Sequence, residues 1–569
     1  MENKCSMDEH LRSLKAFEGC ADLMRECLRI NRCRYELRGR MYTVEDVIVP
    51  RECDFEQHPV LASHITRGYC LVTVDGEQPF LVCGMRKFGF FGVKDRSGEG
   101  RIRQSLRSSA IYLTAKLDGD CTHLHSNSAL PEGTFIGGTR HHHIPFFVSP
   151  SGDHAELAEL REGTVDREML ASMHACHTWM SSLGRAFAEN LGSSDRLAAF
   201  FDRHACTIVA EHVTSIHRHV VAGSRDPGVY VFAVTHARPA DASGFTNPIR
   251  LAPWPQLLPE LTSIGFQCVA PRQELCEKDT VRIDECMLDV ACMPDIEGFV
   301  AEIVRHGNVV YAGKMKTVEY SVLKIAKKLW VERCAPCLAE GERPSSEDVV
   351  SCCTNLRRAL RYLTETWSRR GKVRDLFVVH IRRAEMMFEM CTTAWAVEAY
   401  ARLIRDQTAA SQTYWRRVGF HTDVQFSTPR DVFVAFCKEA ECLLAKAQHG
   451  SARMMFEHAV PGAEDVERVV RKSLIALSER VAQPARSNFD HRTWHVHAVV
   501  CSTDSCELER CVTTTNETGT RINIIKGESD MAVMEAAARA IMRSFPHLCV
   551  SEWPVHDVRQ CVRDAAQSR

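Results

Sequence analysis

The sequence predicts an α+β chain: antiparallel sheet over residues 1–330, a mostly helical region over 335–485 and a small α/β module over 487–569. Three observations carry this. Short β-rich runs separated by Asp-Gly and Gly-Asn turns recur between Tyr69 and Tyr320, which is a hairpin pattern. Beyond Tyr320 the apolar residues take helical spacing, and after about 487 strand-like and helix-like runs return. At 569 residues the chain exceeds one ordinary core, so two or three domains are expected.

Hydrophobic residues at 45% and charged residues at 25% describe a globular chain. No apolar run is long enough to cross a bilayer, and the polar, acidic start Met1–His10 matches neither a secretory nor a transit leader. An intracellular protein, cytoplasmic or nuclear and without a membrane partner, is therefore expected. The net charge of −2 excludes a uniformly basic nucleic-acid binder. It leaves room for a local basic groove, because phosphate contacts depend on where cations sit. Candidates are Lys314, Lys316, Lys324, Lys327 and Lys328, then Arg357-Arg358, Arg369–Lys372 and Arg382-Arg383; a solvated helix face is the plainer reading of any one of them. The 26 cysteines are scattered through apolar stretches and read as reduced, mostly buried thiols. Cys334, Cys337, Cys352 and Cys353 leave zinc open, although adjacent cysteines poorly supply two tetrahedral corners. His141-His142-His143 could bind metal, but a solvated loop beside Arg140 is the plainer reading.

Taken in order, residues 1 to about 50 look helical, with Leu11, Leu14, Phe17 and Leu23 on one face. Strands are expected from Tyr69, where Gly68–Glu77 and Pro79–Cys83 form a hairpin about Asp75-Gly76. Met85–Phe91 mixes cations and aromatics, either as a core edge or as the wall of a nucleotide pocket with Lys87 and Arg67 at hand. Ile111–Thr114 reads as a strand leading into Lys116-Leu117-Asp118-Gly119. Thr134–Arg140 is glycine-rich and ends in a cation; a helical stretch over about 166–202 precedes the strand Cys206–Val213. Glu211 is an acid in that apolar strand, so it needs a polar cleft or a partner. Gly228–Val234 looks fully buried. Glu297–Val304 and Val309–Tyr320 form a hairpin on which Lys314 and Lys316, two apart, leave the same face near Glu297. Helices are expected over Tyr320–Glu332, Asn355–Leu363 and Asp375–Arg405, with Pro344–Glu347 as a linker ending in a cap. Thr493–Val500 and Thr520–Ile525 read as strands and Met531–Phe545 as a helix.

Lys116 is the candidate nucleophile. A lysine attacks through its neutral amine, which neighbouring cations and a bound metal-nucleotide favour. Gly119 lets the backbone turn away from a nucleotide. Alone, Lys-x-Asp-Gly also fits a surface turn. An acid beside two lysines on one sheet face suits a metal-bound polyphosphate, the acid serving the metal and the lysines the phosphate oxygens.

Lys116-Leu-Asp-Gly119, Glu211 in a strand, Glu297-Gly298 and Lys314-Met-Lys316 together resemble the ordered motifs of the covalent nucleotidyltransferase superfamily of DNA ligases, RNA ligases and mRNA capping enzymes. Arg67-Gly68, Arg86–Phe91 and Tyr320 draw the likeness towards the phage-type RNA ligases, over about 65–325. The interval between motifs is longer here, a glycine splits the Phe-Phe pair from Lys87, and Ala210 stands where a bulky residue is usual. The resemblance implies an antiparallel-sheet nucleotidyltransferase domain, ATP-grasp-like, and an ATP-dependent RNA ligase using magnesium or manganese to join 5′-phosphate and 3′-hydroxyl RNA ends. It implies catalytic roles for Lys116, Asp118, Lys314 and Lys316, nucleotide contacts from Gly119, Glu211, Arg67, Lys87 and Arg140, and a metal role for Glu297. Glu211 would hold the ribose, and the helical region would hold RNA by its backbone. The rivals are a GTP-using capping enzyme or a DNA ligase, against which the helical continuation after Lys316 counts, and a non-catalytic RNA-binding scaffold.

Overall fold

The computed structural model describes residues 6–13, 21–51, 54–58, 61, 65–86, 89–90, 110–214, 220, 226–236, 252–275, 288–366, 371–418, 428–448, 498–499, 510–515 and 521–526. The chain is α+β with antiparallel sheets and divides into two compact units. One is Met1–Thr317 with Thr422–Phe426, the other Val318–His421 with Ser427–Arg569.

Among the described residues, three sheets build the first unit. The first runs, in spatial order, Glu159–Glu162, Arg29–Leu37, Arg40–Ile48, Tyr69–Val74 and Phe80–Cys83. Helix is expected up to about residue 50, yet among the described residues there only Met7–Ser13 and Ala21–Cys27 are helical. Arg29–Leu37 is a strand because Cys33, Tyr35 and Leu37 are buried and alternate with less buried neighbours, a period of two rather than 3.6. Arg38 and Gly39 both take positive φ, so the chain reverses at once into Arg40–Ile48.

The second sheet runs Ala155–Leu157, His143–Val148, Thr134–Thr139, Asp120–His125, Cys206–Val213 and Gly228–His236. Helix Arg167–Glu189, started by an Asp166 side chain that accepts from Met169 N, buries Trp179, Leu183 and Phe187 in the core shared with this sheet. The third sheet, Pro271–Leu275, Ala110–Lys116, Gly298–Arg305, Asn308–Lys316 and Gly89–Phe90, carries Lys116 and the 297–316 hairpin. The hairpin turn is His306-Gly307, both at positive φ, one residue earlier than the Gly-Asn turn expected.

The second unit is helical over Val318–Ala339, Ser346–Thr366, Gly371–Met390, Ala394–Arg417 and Pro429–Gln448. Fully buried Trp330 anchors it, packed on Tyr400, Phe433 and Phe436. Ser345 and Asp348 exchange side-chain-to-backbone hydrogen bonds and start the second helix, as the linker-and-cap reading requires. The run expected over Asp375–Arg405 breaks at 391–393, where Thr392 and Thr393 turn their hydroxyls onto the carbonyls of Glu389 and Met390. A three-stranded sheet orders Ala498–Val499, Arg521–Lys526 and Arg510–Thr515; the helix expected over Met531–Phe545 lies outside the described residues. Among the described residues, no helix is long and apolar enough to cross a membrane.

Candidate active site

Register on the third sheet assembles the centre of the site. Gly298 pairs with Lys116 on one side and Lys316 on the other, so the two lysines flank a glycine and leave the same face. Lys314 and Thr114 flank Val300 two residues along, on that same face. Gly298 has φ of +147°, and a Cβ there would lie 1.9 Å from the Met315 carbonyl oxygen, so only glycine fits.

Glu297 precedes that glycine and is buried. Its Oε2 lies 3.0 Å from Lys116 Nζ, and its Oε1 pairs with Lys316 Nζ. Thr317 ties the same end of the hairpin, donating its N to Glu297 O at 3.2 Å and its hydroxyl to Ile296 O at 2.9 Å. One carboxylate thus spans two cations, which meets the requirement that a buried charge be paired. Its hard oxygens also suit magnesium, an ion commonly held by one or two carboxylates plus substrate phosphates.

Strand Cys206–Val213 faces the turn after Lys116. Buried Glu211 accepts from Gly119 N at 2.9 Å, and Asp118 Oδ2 accepts from Val220 N at 2.6 Å. A Cβ on Gly119 would lie 2.5 Å from His212 O, so close approach, not a left-handed φ, calls for glycine at this turn. A cavity opens beside Lys116, walled by Phe232, Val269 and Val300 and carrying Glu211 and Glu302. Its lining is mostly apolar, with a few polar groups. Glu302, which accepts from Trp254 N at 3.3 Å, carries the same sequence signal as Glu211, an acid in an apolar strand, and is the site residue that sequence reasoning misses although the signal is there. Phe232 lies in a continuous apolar run and gives no signal of its own.

The remaining expected residues are Arg67, Arg140 and Lys87. Arg67 donates its backbone N to Met85 O at 2.9 Å. The charges of Glu211, Arg67, Lys116 and Arg140 all act on the Cys121 thiol, which burial pushes up to about 12. Arg140 is exposed and its Nε donates to His141 Nε2 at 2.7 Å. Lys87 lies outside the described residues. The His141–His143 segment is not a solvated loop: His142 and His143 are buried, because His143 begins a central strand and meets Asp46. Among the described residues, Cys334, Cys337, Cys352 and Cys353 form no group of three close ligating atoms.

No protein-family model matches the chain, and no curated protein does. Among solved structures it is similar to an archaeal ATP-dependent RNA ligase in one form, at 12% identity over 74% of this chain and 95% of that one, with a TM-score of 0.38. A second form of an archaeal ATP-dependent RNA ligase matches at 14% identity over 63% and 76%, TM-score 0.32. A mutant Naegleria gruberi RNA ligase with ATP and Mn matches at 14% identity over 53% and 81%, TM-score 0.22. With every one of these TM-scores below 0.5, the chemistry of this chain is argued from its own residues.

Proposed function

We propose that this chain is an ATP-dependent RNA ligase that joins a 5′-phosphate to a 3′-hydroxyl. The observation that carries the reading is Glu297 bridging Lys116 and Lys316 at the mouth of an apolar slot. A scaffold gains nothing from holding two lysines and a carboxylate in register around an obligatory glycine. A nucleotidyl transfer centre needs all of them.

In the reaction, the Lys116 Nζ–phosphorus bond forms as the bond from the α-phosphorus to its bridging oxygen breaks, and pyrophosphate leaves. AMP then passes from Lys116 to the RNA 5′-phosphate, and the 3′-hydroxyl displaces it. Catalysis of such transfers rests on positioning and on neutralising charge. Before attack, Lys116 must shed its ion pair with Glu297 Oε2 and lose a proton. Lys314 and Lys316 neutralise the α-phosphoryl oxygens, Glu211 and Asp118 hold the nucleotide side of the turn, and Phe232 and Val300 cover the base. Glu297 would hold magnesium or manganese, and such an ion would supply further charge neutralisation. The helix that follows Lys316 at once, Val318–Ala339, favours an RNA ligase over capping enzymes and DNA ligases, which continue into a small β-barrel.

The test is incubation with α-labelled ATP and magnesium, followed by denaturing electrophoresis. A labelled protein band is expected, and Lys116→Ala abolishes it. Lys116→Arg does not restore it, since a guanidinium stays protonated. A band that persists in Lys116→Ala removes the nucleophile, and labelling by GTP in place of ATP moves the chain to the capping enzymes.

A further inference from the structure

Outside the lysine cluster, the first unit buries a chain of polar groups that reaches back to Arg67. Cys121, His123 and His125 alternate along their strand and leave the face that carries Glu211, since Cys121 pairs in register with Glu211. His123 is fully buried against two glycines. A Cβ on Gly68 would lie 2.1 Å from His123 Cε1, and one on Gly84 would lie 2.3 Å from His123 Nε2 and 2.0 Å from Arg67 O. Gly84 N donates to Gly68 O at 3.1 Å, and Arg67 N to Met85 O at 2.9 Å. The imidazole therefore fills the seam between two backbone segments, and Arg67 extends from one of them.

The ring is itself braced. His123 Nδ1 lies 3.2 Å from His143 Nε2, and His143 Nδ1 lies 2.5 Å from Asp46 Oδ1. His143 N also donates to Asp46 Oδ2 at 3.1 Å. One arrangement of protons satisfies every link: His143 Nδ1–H to the carboxylate, His123 Nδ1–H to His143 Nε2, and the Cys121 thiol towards His123 Nε2 at 3.8 Å. Both rings are then neutral, and burial pushes His123 down to about 3, in the same sense.

Asp46, Cys70 and His143 also place one ligating atom each within 4.8 Å of one another. Three donors leave a closed tetrahedral site one short, and both Asp46 oxygens already accept from His143. A hydrogen-bonded brace satisfies these groups without an ion.

We propose that His123, braced by His143 and Asp46, is a positioning residue for the nucleotide site: it fixes the seam of Gly68 and Gly84 and so sets Arg67 where it meets the leaving phosphates. This rests on the reading of Lys116 as the nucleophile and of Arg67 as a contact for the outgoing phosphates.

A double-mutant cycle on the labelling reaction, run with the full chain, tests it. His123→Ala is expected to slow lysyl-AMP formation by up to about 100-fold, the scale of an ångström's misplacement, and to raise the ATP concentration for half-maximal rate. Adding it to Arg67→Ala makes that variant no slower, and His123→Asn, which returns a donor near Nδ1, recovers most of the rate. Losses that multiply in the double variant overturn the proposal. If His123→Ala does not fold, Gly84→Ala, which presses the seam from the other side, must show the same non-additivity with Arg67→Ala; multiplying losses there overturn it equally. About one zinc ion per purified chain, lost in Cys70→Ala, replaces the brace with a metal site and also overturns it. An unlabelled native chain sinks the ligase reading instead, whereas a labelled one with multiplying losses sinks this proposal alone.

Discussion

Between Lys116 and Lys316 a single carboxylate decides how the resting site is charged. Glu297 holds both ammonium groups, so each lysine is pinned within reach of one point. Lys316 has its largest effect where negative charge builds on the transferring phosphoryl group, and one preorganised contact of that kind is worth about 3–4 kcal/mol. Lys316→Ala is expected to fold, to bind ATP and to form lysyl-AMP two to three powers of ten more slowly, roughly the same energy expressed as a rate. Supplied with pre-adenylylated RNA, Lys116→Ala still seals, because its amine has no part in the last step, while Lys316→Ala stays impaired. A water-exposed strand lysine would change stability by only a few tenths of a kcal/mol, about the range of neutral surface substitutions. Near-native rates in both assays would therefore remove Lys316 from the site. The residues around this centre are unequally legible in the sequence. Lys116, Glu297 and Lys316 stand out because reactive side chains recur in a fixed order, and strand alternation alone puts Lys314 and Lys316 on one face. Phe232 and Val300 give no signal, since an apolar residue that lines a slot has the same sequence signature as one that fills a core.

Strand Asp120–His125 links that chemistry to the stability of the fold. Burial pushes His123 down to about 3 and His125 to about 4. In the unfolded chain both titrate near 6.5, about the ordinary value for histidine. Below that pH the unfolded state binds more protons than the folded one, so stability falls as pH drops from about 6.5 towards about 4, and is fully retained above it. Each ring is expected to cost about 1 kcal/mol at a pH one unit below 6.5. Urea unfolding at pH 7.0 and pH 5.5 reads this pair together with other rings such as His177, which burial also pushes down to about 4, and His125→Gln should remove about 1 kcal/mol of the difference. A midpoint that does not move between the two pH values excludes neutral burial of this pair. At this scale the first sheet is the least legible. Helical spacing from Leu11 to Leu23 invites extension across Arg29–Ile48, whose reversal at Arg38-Gly39 lacks the Asn-Gly or Asp-Gly that marks such a turn. His142 and His143 mislead for a related reason: three adjacent histidines look solvated until a carboxylate 97 residues earlier in the chain, Asp46, is folded against them.

At the scale of the whole molecule, the division at Thr317 and Val318 puts Lys116, Glu297 and Lys316 in one unit and the helices from Val318 to Gln448 in the other. The RNA-binding reading of the helices must be narrowed, because several of their cations are already committed. Arg357 and Arg382 pair with buried Glu385, Arg382 also meets Glu389, and Arg383 joins Glu319 and Glu441. Of these pairs Arg382–Glu385 is buried on both sides, and removing one partner of such a pair costs about 3–5 kcal/mol; Arg357 and Arg383 are about half exposed and their pairs are worth less, but all three arginines are already engaged and are poor probes of RNA. Arg358 lies on the exposed face of helix Ser346–Thr366 and is the better candidate. If it binds a phosphate, Arg358→Ala and, more strongly, Arg358→Glu should leave lysyl-AMP formation unchanged while RNA sealing falls. The dependence of sealing affinity on salt should also flatten, by roughly 0.7 in log–log slope for each single-strand phosphate that is no longer neutralised. Measuring half-saturating RNA from 50 to 200 mM salt, about the range over which such neutralisation is read, separates the outcomes. An unchanged slope with unchanged sealing takes RNA off this face, whereas a fall in lysyl-AMP formation as well would mean that the substitutions damage the fold and that the exposed face of this helix is not a dedicated nucleic-acid surface.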